Sequence, residues 1–582
     1  MTEERKPRSD ESVFLGKTYD GPMTGAQILV RSLIEQGVDT VFGYPGGTVI
    51  DIYDALYDAR DLILHVETTH EQHACHAADG YARSTGRCGV VLATSGPGAT
   101  NLVTGIATAF LDSIPLVAIT GNVSRGVIGT DGFQELDITG VTLPITKQNY
   151  FVRDVNRLQE VLHEAFELAM SDRKGPVLVD VPKDVQTALA YYQPWLPVVP
   201  TPPIEPRRES LQTAADAINQ AQRPFVYFGG GVTAAEAGDL VVELANRIGA
   251  PLGCSLMGVS AIPTDTPGFL GMEGMHGHFA CTKAMSQTDC LVAIGCRFND
   301  RSTGAIGTFA PNGKVIRIDL DSSEFSKTVE DQVDVHGDAG VSLRRLLPLL
   351  EPNTHEKWLR TVREPLAQER GYADYRETLT PANIMKTING LRESDMPVVT
   401  DVGQHQMWAA QYLSFDVPRT FITSGGLGTM GFGLGASIGA SLATGRHVIL
   451  VTGDGSFAMN MAELMTAAEF QLPITVVLLN NGVLGMVRQM QSLFKHQRYS
   501  QTTLDRPVDY VQIARALGAD SMHATTPVDF RRALEHAMAT HGPTLIECPV
   551  DKDEFVTPVL QIGASLDELI VNMDDVKARM GR

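Results

Sequence analysis

The segment from Gly453 to Met486 reads GDGSFAMNMAELMTAAEFQLPITVVLLNNGVLGM. A Gly-Asp-Gly turn follows one Val/Ile-rich run and an Asn-Asn loop follows the next, with a helical stretch between them. In a parallel strand–helix–strand unit both turns leave the same edge of the sheet. Asp454 and Asn481 can therefore meet although 27 positions separate them. Asp454 offers a carboxylate oxygen, Asn481 an amide oxygen and the Val483 backbone a carbonyl oxygen. This hard oxygen set suits Mg²⁺, which completes an octahedron with phosphate oxygens and water. Gly453 and Gly455, on either side of the acid and next to Ser456, let the backbone approach a diphosphate. The amides at the following helix start favour its charge. A Gly-Asp-Gly sequence alone is an ordinary turn; the added strand, helix and Asn-Asn loop make the pattern specific.

A second acid stands in VETTHEQHACHAADGYARSTGR, where Glu71 follows a strand and opens an Ala-rich helix. Taken alone, such a Glu is a favourable helix N-terminal charge. The elements that must position these groups are legible along the chain. Short Val/Ile/Leu runs alternate with helical patterns, which means parallel βαβ units with ligands at the carboxyl ends of strands. The fold class is α/β, with three doubly wound parallel-sheet domains. They are expected at 23–190, 210–350 and 381–550, after an arm at 1–22. A Pro-rich linker at 191–209, containing YYQPWLPVVPTPPIEP, is stiff and breaks helices and central strands. A charged stretch at 351–380 reads as a helical linker, and 551–582 as a tail with a short helix.

With 582 residues, 43% of them hydrophobic, the chain can bury about three or four cores without staples. The 68 acidic and 47 basic side chains leave a net charge of −21, which disfavours nucleic acid and anionic membrane. Seven cysteines, odd in number and without a C-x-x-C, suggest neither disulfides nor zinc, and fit a reducing cytoplasm. The first residues, MTEERKPRSDESVF, lack a signal-peptide core, and no run approaches the roughly 20 apolar residues of a membrane span.

The Gly453–Met486 segment resembles the thiamine-diphosphate fingerprint of the pyruvate-decarboxylating enzyme superfamily, as do TDVGQHQMWAAQYL and SGGLGTMGFGLG upstream of it. The resemblance implies that Gln404 and His405 contact the diphosphate and that Gly453, Gly455, Ser456 and Met486 also meet the coenzyme. It implies that the Gly428 carbonyl meets the aminopyrimidine and that Met430 is the apolar wedge bending the coenzyme. Glu71 becomes the carboxyl that activates the coenzyme, contributed across a subunit interface, so a homodimer is the minimum assembly and a tetramer is common in the family. His70 matches the pattern. His73 stands where a small residue is usual, and His73 and His76 read as packing or surface residues.

FGYPGGTVIDIYDAL, GTDGFQELDITGVTLPITKQNYFV, GPVLVDVPKDVQ, GMHG and RFNDRSTGAIGTFAP narrow the resemblance to the catalytic subunits of acetohydroxyacid synthase, over about residues 24–549. The implied reaction decarboxylates pyruvate and ligates the two-carbon unit to a second 2-keto acid, the first common step toward valine, leucine and isoleucine. Arg301 matches the arginine that anchors the second substrate's carboxylate, where a guanidinium is bidentate. Gly47 and Gln134 match residues lining the reacting carbonyl, and Phe133 and Lys183 match positions bordering the substrate channel. A structural FAD is implied at Arg173, Gly230, Gly231, Met275, His276, Arg297, Asp319 and Asp338. A separate small regulatory subunit is implied as well. The chain departs from the family at Asn299, usually Asp, at Glu273, usually apolar, and at Met490, usually Trp beside the second-substrate pocket. Runner-up readings are another thiamine-dependent carboligase or decarboxylase, a flavin-dependent pyruvate oxidase, and a non-catalytic flavin-binding homologue.

Overall fold

The computed structural model describes residues 21–199, 201–370, 377–561, 563–564 and 568–581. Nearly all of the arm expected at 1–22 lies outside them. Three six-stranded sheets, each wholly parallel, carry the fold. The first contains β2 (Thr40–Tyr44), β3 (Leu64–Glu67), β4 (Gly89–Ala93), β5 (Leu116–Asn122), β6 (Gln148–Phe151) and β7 (Pro176–Pro182), in the order β3-β2-β4-β5-β7-β6. Its two ends are clasped where β1 (Met23–Thr24) pairs antiparallel with β8 (Leu189–Ala190). Strands such as GVVLA and PVLVDVP are buried throughout, as strands covered by helices on both faces must be.

The central sheet contains β9 (Pro224–Phe228), β10 (Leu252–Cys254), β11 (Phe269–Met272), β12 (Cys290–Ile294), β13 (Lys314–Asp319) and β14 (Val333–His336), in the order β11-β10-β9-β12-β13-β14. That is the dinucleotide-binding order, with a crevice where the order reverses between β9 and β12. The third sheet contains β15 (Val398–Thr400), β16 (Phe421–Ile422), β17 (Val448–Gly453), β18 (Ile474–Asn480), β19 (Asp520–His523) and β20 (Thr544–Pro549). Its order, β16-β15-β17-β18-β20-β19, repeats that of the first sheet.

The first and third units are joined by two helices that cross with their backbones in contact. A Cβ at Gly80 of the helix Glu71–Thr85 would sit 2.2 Å from the Ala436 carbonyl oxygen. One at Gly439 of the helix Gly433–Thr444 would sit 1.8 Å from that of Ala77. Only glycine permits this approach, and a single apolar core runs from Val66 and Ala74 through Leu434 to Phe457.

The stretch expected as a helical linker differs in one respect. Its helix, Glu356–Arg370, is part of the central unit: Trp358 and Val362 are buried in that core, and Trp358 Nε1 donates to the Pro224 carbonyl at 2.9 Å. Residues 371–376 lie outside the described chain. The tail helix spans Met573–Arg579, starting at the Asn572 cap, and packs through Val576 against Leu493 and Phe555. No disulfide joins the cysteines. Among the described residues no helix is long and apolar enough to cross a membrane.

Candidate active site

β17 and β18 lie side by side with Gly453 opposite Leu479, so the turns that follow them open at one sheet edge. The buried Asp454 carboxylate there accepts backbone hydrogen bonds from Asn481 and Gly482. Burial pushes its pKa up to about 6, against the pull of those donors. The Asn481 side chain accepts from Val483 N at 3.1 Å and donates to Gln404 Oε1 at 3.3 Å. Gln404 also donates to Gln489 Oε1 at 3.0 Å and to the Glu554 carbonyl at 3.1 Å. Gln404 and His405 begin the helix Gln404–Tyr412 just beyond β15, the neighbour of β17. The group therefore gathers where the strand order reverses, as in other doubly wound sheets.

His405 is buried and its Nε2 has no hydrogen-bond partner. Burial pushes its pKa down to about 3, which keeps the ring neutral. At Gly455 a Cβ would lie 2.8 Å from Leu484 and 3.6 Å from the Met430 methyl, so glycine leaves a cradle open between them. Ser456 Oγ donates to the Val402 carbonyl at 3.0 Å. An orphaned imidazole nitrogen, a buried carboxylate and a glycine cradle fit a metal-bound diphosphate. Among the described residues no group of three His, Cys, Asp or Glu could hold a metal, so a cation here would rely on mixed oxygens such as those of Asp454, Asn481 and Val483. Sequence reasoning missed Asp401, whose carboxylate accepts from Gly431 N at 2.9 Å and Gly433 N at 3.2 Å and so shapes the turn carrying Met430. The signal was present as an acid at a strand end in TDVG.

A cavity of about 940 Å³ lies between the three units. Every residue expected to meet the flavin borders it: Arg173, Gly230, Gly231, Met275, His276, Arg297, Asp319 and Asp338. Gly428, Met486, Met490 and Arg301 border it too. Arg83, Lys174 and Arg419 add positive charge, and the crevice of the central sheet opens here, which fits a dinucleotide with a diphosphate bridge. Several of these side chains also serve the fold. Arg173 pairs with Asp321 at 2.9 Å, Arg297 donates to the Leu111 carbonyl, and Asp338 caps the helix Ala339–Leu346. In the glycine run, a Cβ at Gly229 or Gly231 would strike the backbone of Gly295 or Cys296, so packing of adjacent strand ends demands glycine there.

The departures at Asn299 and Glu273 have separate outcomes. Asn299 caps the short helix Asp300–Thr303 through Ser302 N at 3.0 Å, a task Asn and Asp share. Glu273 is buried at the cavity wall, accepting from Thr282 Oγ1 at 3.0 Å, and burial pushes its pKa up to about 8. The folded chain thus keeps a proton that the unfolded chain releases above the ordinary value near 4.5. Stability falls as pH rises through that interval. Glu273→Gln is expected to raise the thermal midpoint by about 4 °C or more at pH 8.5 and to change it little at pH 5. Equal shifts at both pH values in a melting series would contradict this.

The remaining predicted residues form a separate group on the first unit, and none of them borders the cavity. Glu71 opens its helix behind the His70 cap, is 9% exposed, and accepts from Asn101 Nδ2 at 2.9 Å. Lys183 Nζ donates to the Gly47 carbonyl at 3.2 Å. Gln134 has a left-handed backbone with φ of 61°, its Cβ packed towards Gly96, and Phe133 beside it is 88% exposed. The chain thus presents the Asp454 cluster, the cavity between the units and the Glu71 group.

Comparison with known proteins accounts for all three units. Residues 23–141 match the N-terminal TPP binding domain of thiamine pyrophosphate enzymes, 211–346 their central domain, and 401–548 their C-terminal TPP binding domain. The acetolactate synthase isozyme 2 large subunit of Escherichia coli K12 is 44% identical over 555 residues, covering 94% of this chain and 99% of that protein. The acetolactate synthase of Mycobacterium bovis is 44% identical over 566 residues, with 94% and 91% covered. A probable acetolactate synthase large subunit of Methanocaldococcus jannaschii is 40% identical over 565 residues, with 94% and 95% covered. The chain belongs to the acetolactate synthase large-subunit family of thiamine pyrophosphate enzymes.

Proposed function

We propose that this protein condenses pyruvate with a second 2-keto acid, pyruvate or 2-ketobutyrate, using thiamine diphosphate and Mg²⁺, as a cytoplasmic homodimer or higher oligomer with a structural FAD. Bound thiamine diphosphate supplies a carbon nucleophile that accepts the electrons left when CO₂ departs. Asp454, Asn481 and the Val483 carbonyl hold the cation, and His405 and Gln404 take the diphosphate. Glu71 keeps a proton in exchange with the coenzyme's pyrimidine ring. The Gln134 side-chain amide and the Gly47 backbone amide stabilise negative charge growing on the substrate carbonyl. Arg301, largely exposed with Asp300 4.0 Å away, binds the second substrate's carboxylate.

The observation that carries this reading is that Asp454, Asn481 and Gln404 gather at strand ends of the third unit while Glu71 opens a helix of the first. Each group lies beside exposed apolar side chains, Tyr44, Ile50 and Phe133 for that of Glu71, Leu427, Met459 and Val487 for that of Asp454. Two copies related by a twofold axis would cover both patches and bring Glu71 to the partner's coenzyme. Several relatives are named large subunits, which supports a smaller companion chain.

The test is product analysis with pyruvate, omitting thiamine diphosphate, Mg²⁺ and FAD in turn. Acetolactate that disappears without either of the first two is expected; acetyl phosphate with peroxide would replace the reading with an oxidase. At the second-substrate pocket, Met is slimmer and more adaptable than the family's Trp. Met490→Trp is expected to raise the 2-ketobutyrate product share several-fold in a competition assay, since one shape-filling contact is worth about 1–3 kcal/mol. An unchanged share would count against that role.

A further inference from the structure

Glu463 is a carboxylate buried between the first and third units, its side chain fully shielded from solvent. It closes the turn Met461–Glu463, nine positions after Asp454 on the same stretch of the third unit. Its partners sit on the first unit. Thr69 N donates to both of its oxygens, at 3.0 and 3.2 Å, and Thr69 Oγ1 donates at 2.5 Å. His73 Nδ1 donates at 3.0 Å. On its own unit Thr466 Oγ1 donates at 2.9 Å. Burial would raise the pKa of this carboxyl, but the His73 and Thr69 donors outweigh it and hold the group below the ordinary value.

Thr69 and His73 bracket Glu71, the first residue of its helix. Farther along, that helix is locked against the third unit by the contacts of Gly80 and Gly439. Its first turn meets the same partner helix at Gly435, whose Cβ would sit 2.8 Å from the His73 carbonyl oxygen, and the Glu71 carboxyl itself is oriented by Asn101. Ahead of that contact, the charge-assisted grip of Glu463 on Thr69 fixes the peptide entering the helix and with it the start of the Glu71 backbone.

We propose that Glu463, gripped by His73 and Thr69, is a positioning residue that sets the Glu71 carboxyl for coenzyme activation. This rests on the reading of Glu71 as the activating group. His73, read from sequence as packing or surface, acquires a role here, whereas His76 is a packing residue, its ring against Phe432.

The test compares Glu463→Gln, His73→Ala and His73→Asn, each also combined with Glu71→Gln. Glu463→Gln retains size but presents an amide to the Thr69 N–H. It is expected to lower kcat by about tenfold or more, the effect of weakening charge-assisted bonds that hold a reacting group, with KM for pyruvate nearly unchanged. His73→Ala is expected to lower kcat several-fold, and His73→Asn, which restores a donor near the Nδ1 position, to recover most of it. In the Glu71→Gln background Glu463→Gln should add less than about twofold, because residues acting as one unit are not additive. In the coenzyme-free protein, amide hydrogens of residues 68–73 should exchange about tenfold faster in Glu463→Gln, and those of residues 78–83 at the wild-type rate. Wild-type turnover with unchanged exchange at 68–73 would overturn the proposal, as would loss of protection spread evenly along the helix. If Glu463→Gln fails to accumulate, Thr69→Val and His73→Ala, each lacking one donor, carry the same comparison. Full activity in Glu71→Gln itself would overturn the underlying reading of Glu71, an outcome separate from any result at Glu463.

Discussion

Glu71→Gln is expected to lower acetolactate formation by about 10²–10⁴-fold, the range associated with removing a positioned proton donor and acceptor. Gln retains the shape of the side chain and can still meet Asn101, so the fold and the binding of Mg²⁺ and diphosphate should persist. The loss should fall on kcat, because the group acts on the proton inventory of the bound coenzyme and leaves substrate anchoring to Arg301. Steady-state kinetics with saturating coenzyme, paired with calorimetric titration of thiamine diphosphate, separate these effects. A variant that lost coenzyme binding and activity in parallel would place Glu71 in the binding pocket and remove its proton role.

Asp454→Ala should act differently and more severely. This residue is the one carboxylate among the expected metal donors, and its backbone partners at Asn481 and Gly482 tie the two loops together. Without it the cation loses its charged ligand and the diphosphate loses its bridge. Activity is expected to fall by about 10³-fold or more, equivalent to roughly 4 kcal/mol, at ordinary Mg²⁺ concentrations. The affinity for Mg²⁺ measured by titration should fall with it. Raised Mg²⁺ should recover part of the activity, which no concentration of cation would do for Glu71→Gln. Asp454→Ala with unaltered Mg²⁺ dependence would show that the cation lies elsewhere.

What the sequence made legible depended on how local each signal is. The Gly-Asp-Gly turn and the Asn-Asn loop lie at the ends of adjacent strands, so the spacing along the chain was enough to place them together. The flavin residues come from loops that follow strands of one sheet, and the strand alternation already located those loops. Arg173, from the first unit, reached the cavity only through domain packing, and its place there came from resemblance. The helix Glu356–Arg370 was visible as a helix, but its polar composition concealed that Trp358 and Val362 anchor it in the central core. Glu463 was invisible for a plainer reason: its donors on the first unit lie 390 or more positions away, so no periodicity or turn chemistry signals them. The partners of Asp401, Gly431 and Gly433, lie 30 and 32 positions away, so nothing local marks that acid's role. The tail was read as an appendage, yet Leu560 N donates to the Met275 carbonyl at 2.8 Å and brings the tail against a cavity-lining residue. Burial pattern and turn chemistry are written locally, whereas contacts between units arise from the packing of three separate cores.

The central claim is that a complete site needs Glu71 from one protomer and Asp454 from another. Subunits carrying Glu71→Gln and subunits carrying Asp454→Ala, each nearly inactive alone, can be mixed under conditions in which protomers exchange. Random pairing leaves one intact site in every hybrid dimer, so acetolactate formation should return to about a quarter of the wild-type level. A mixture as inactive as its two components, with hybrids demonstrated by mass, would mean that the two carboxylates do not meet across an interface and would contradict the account.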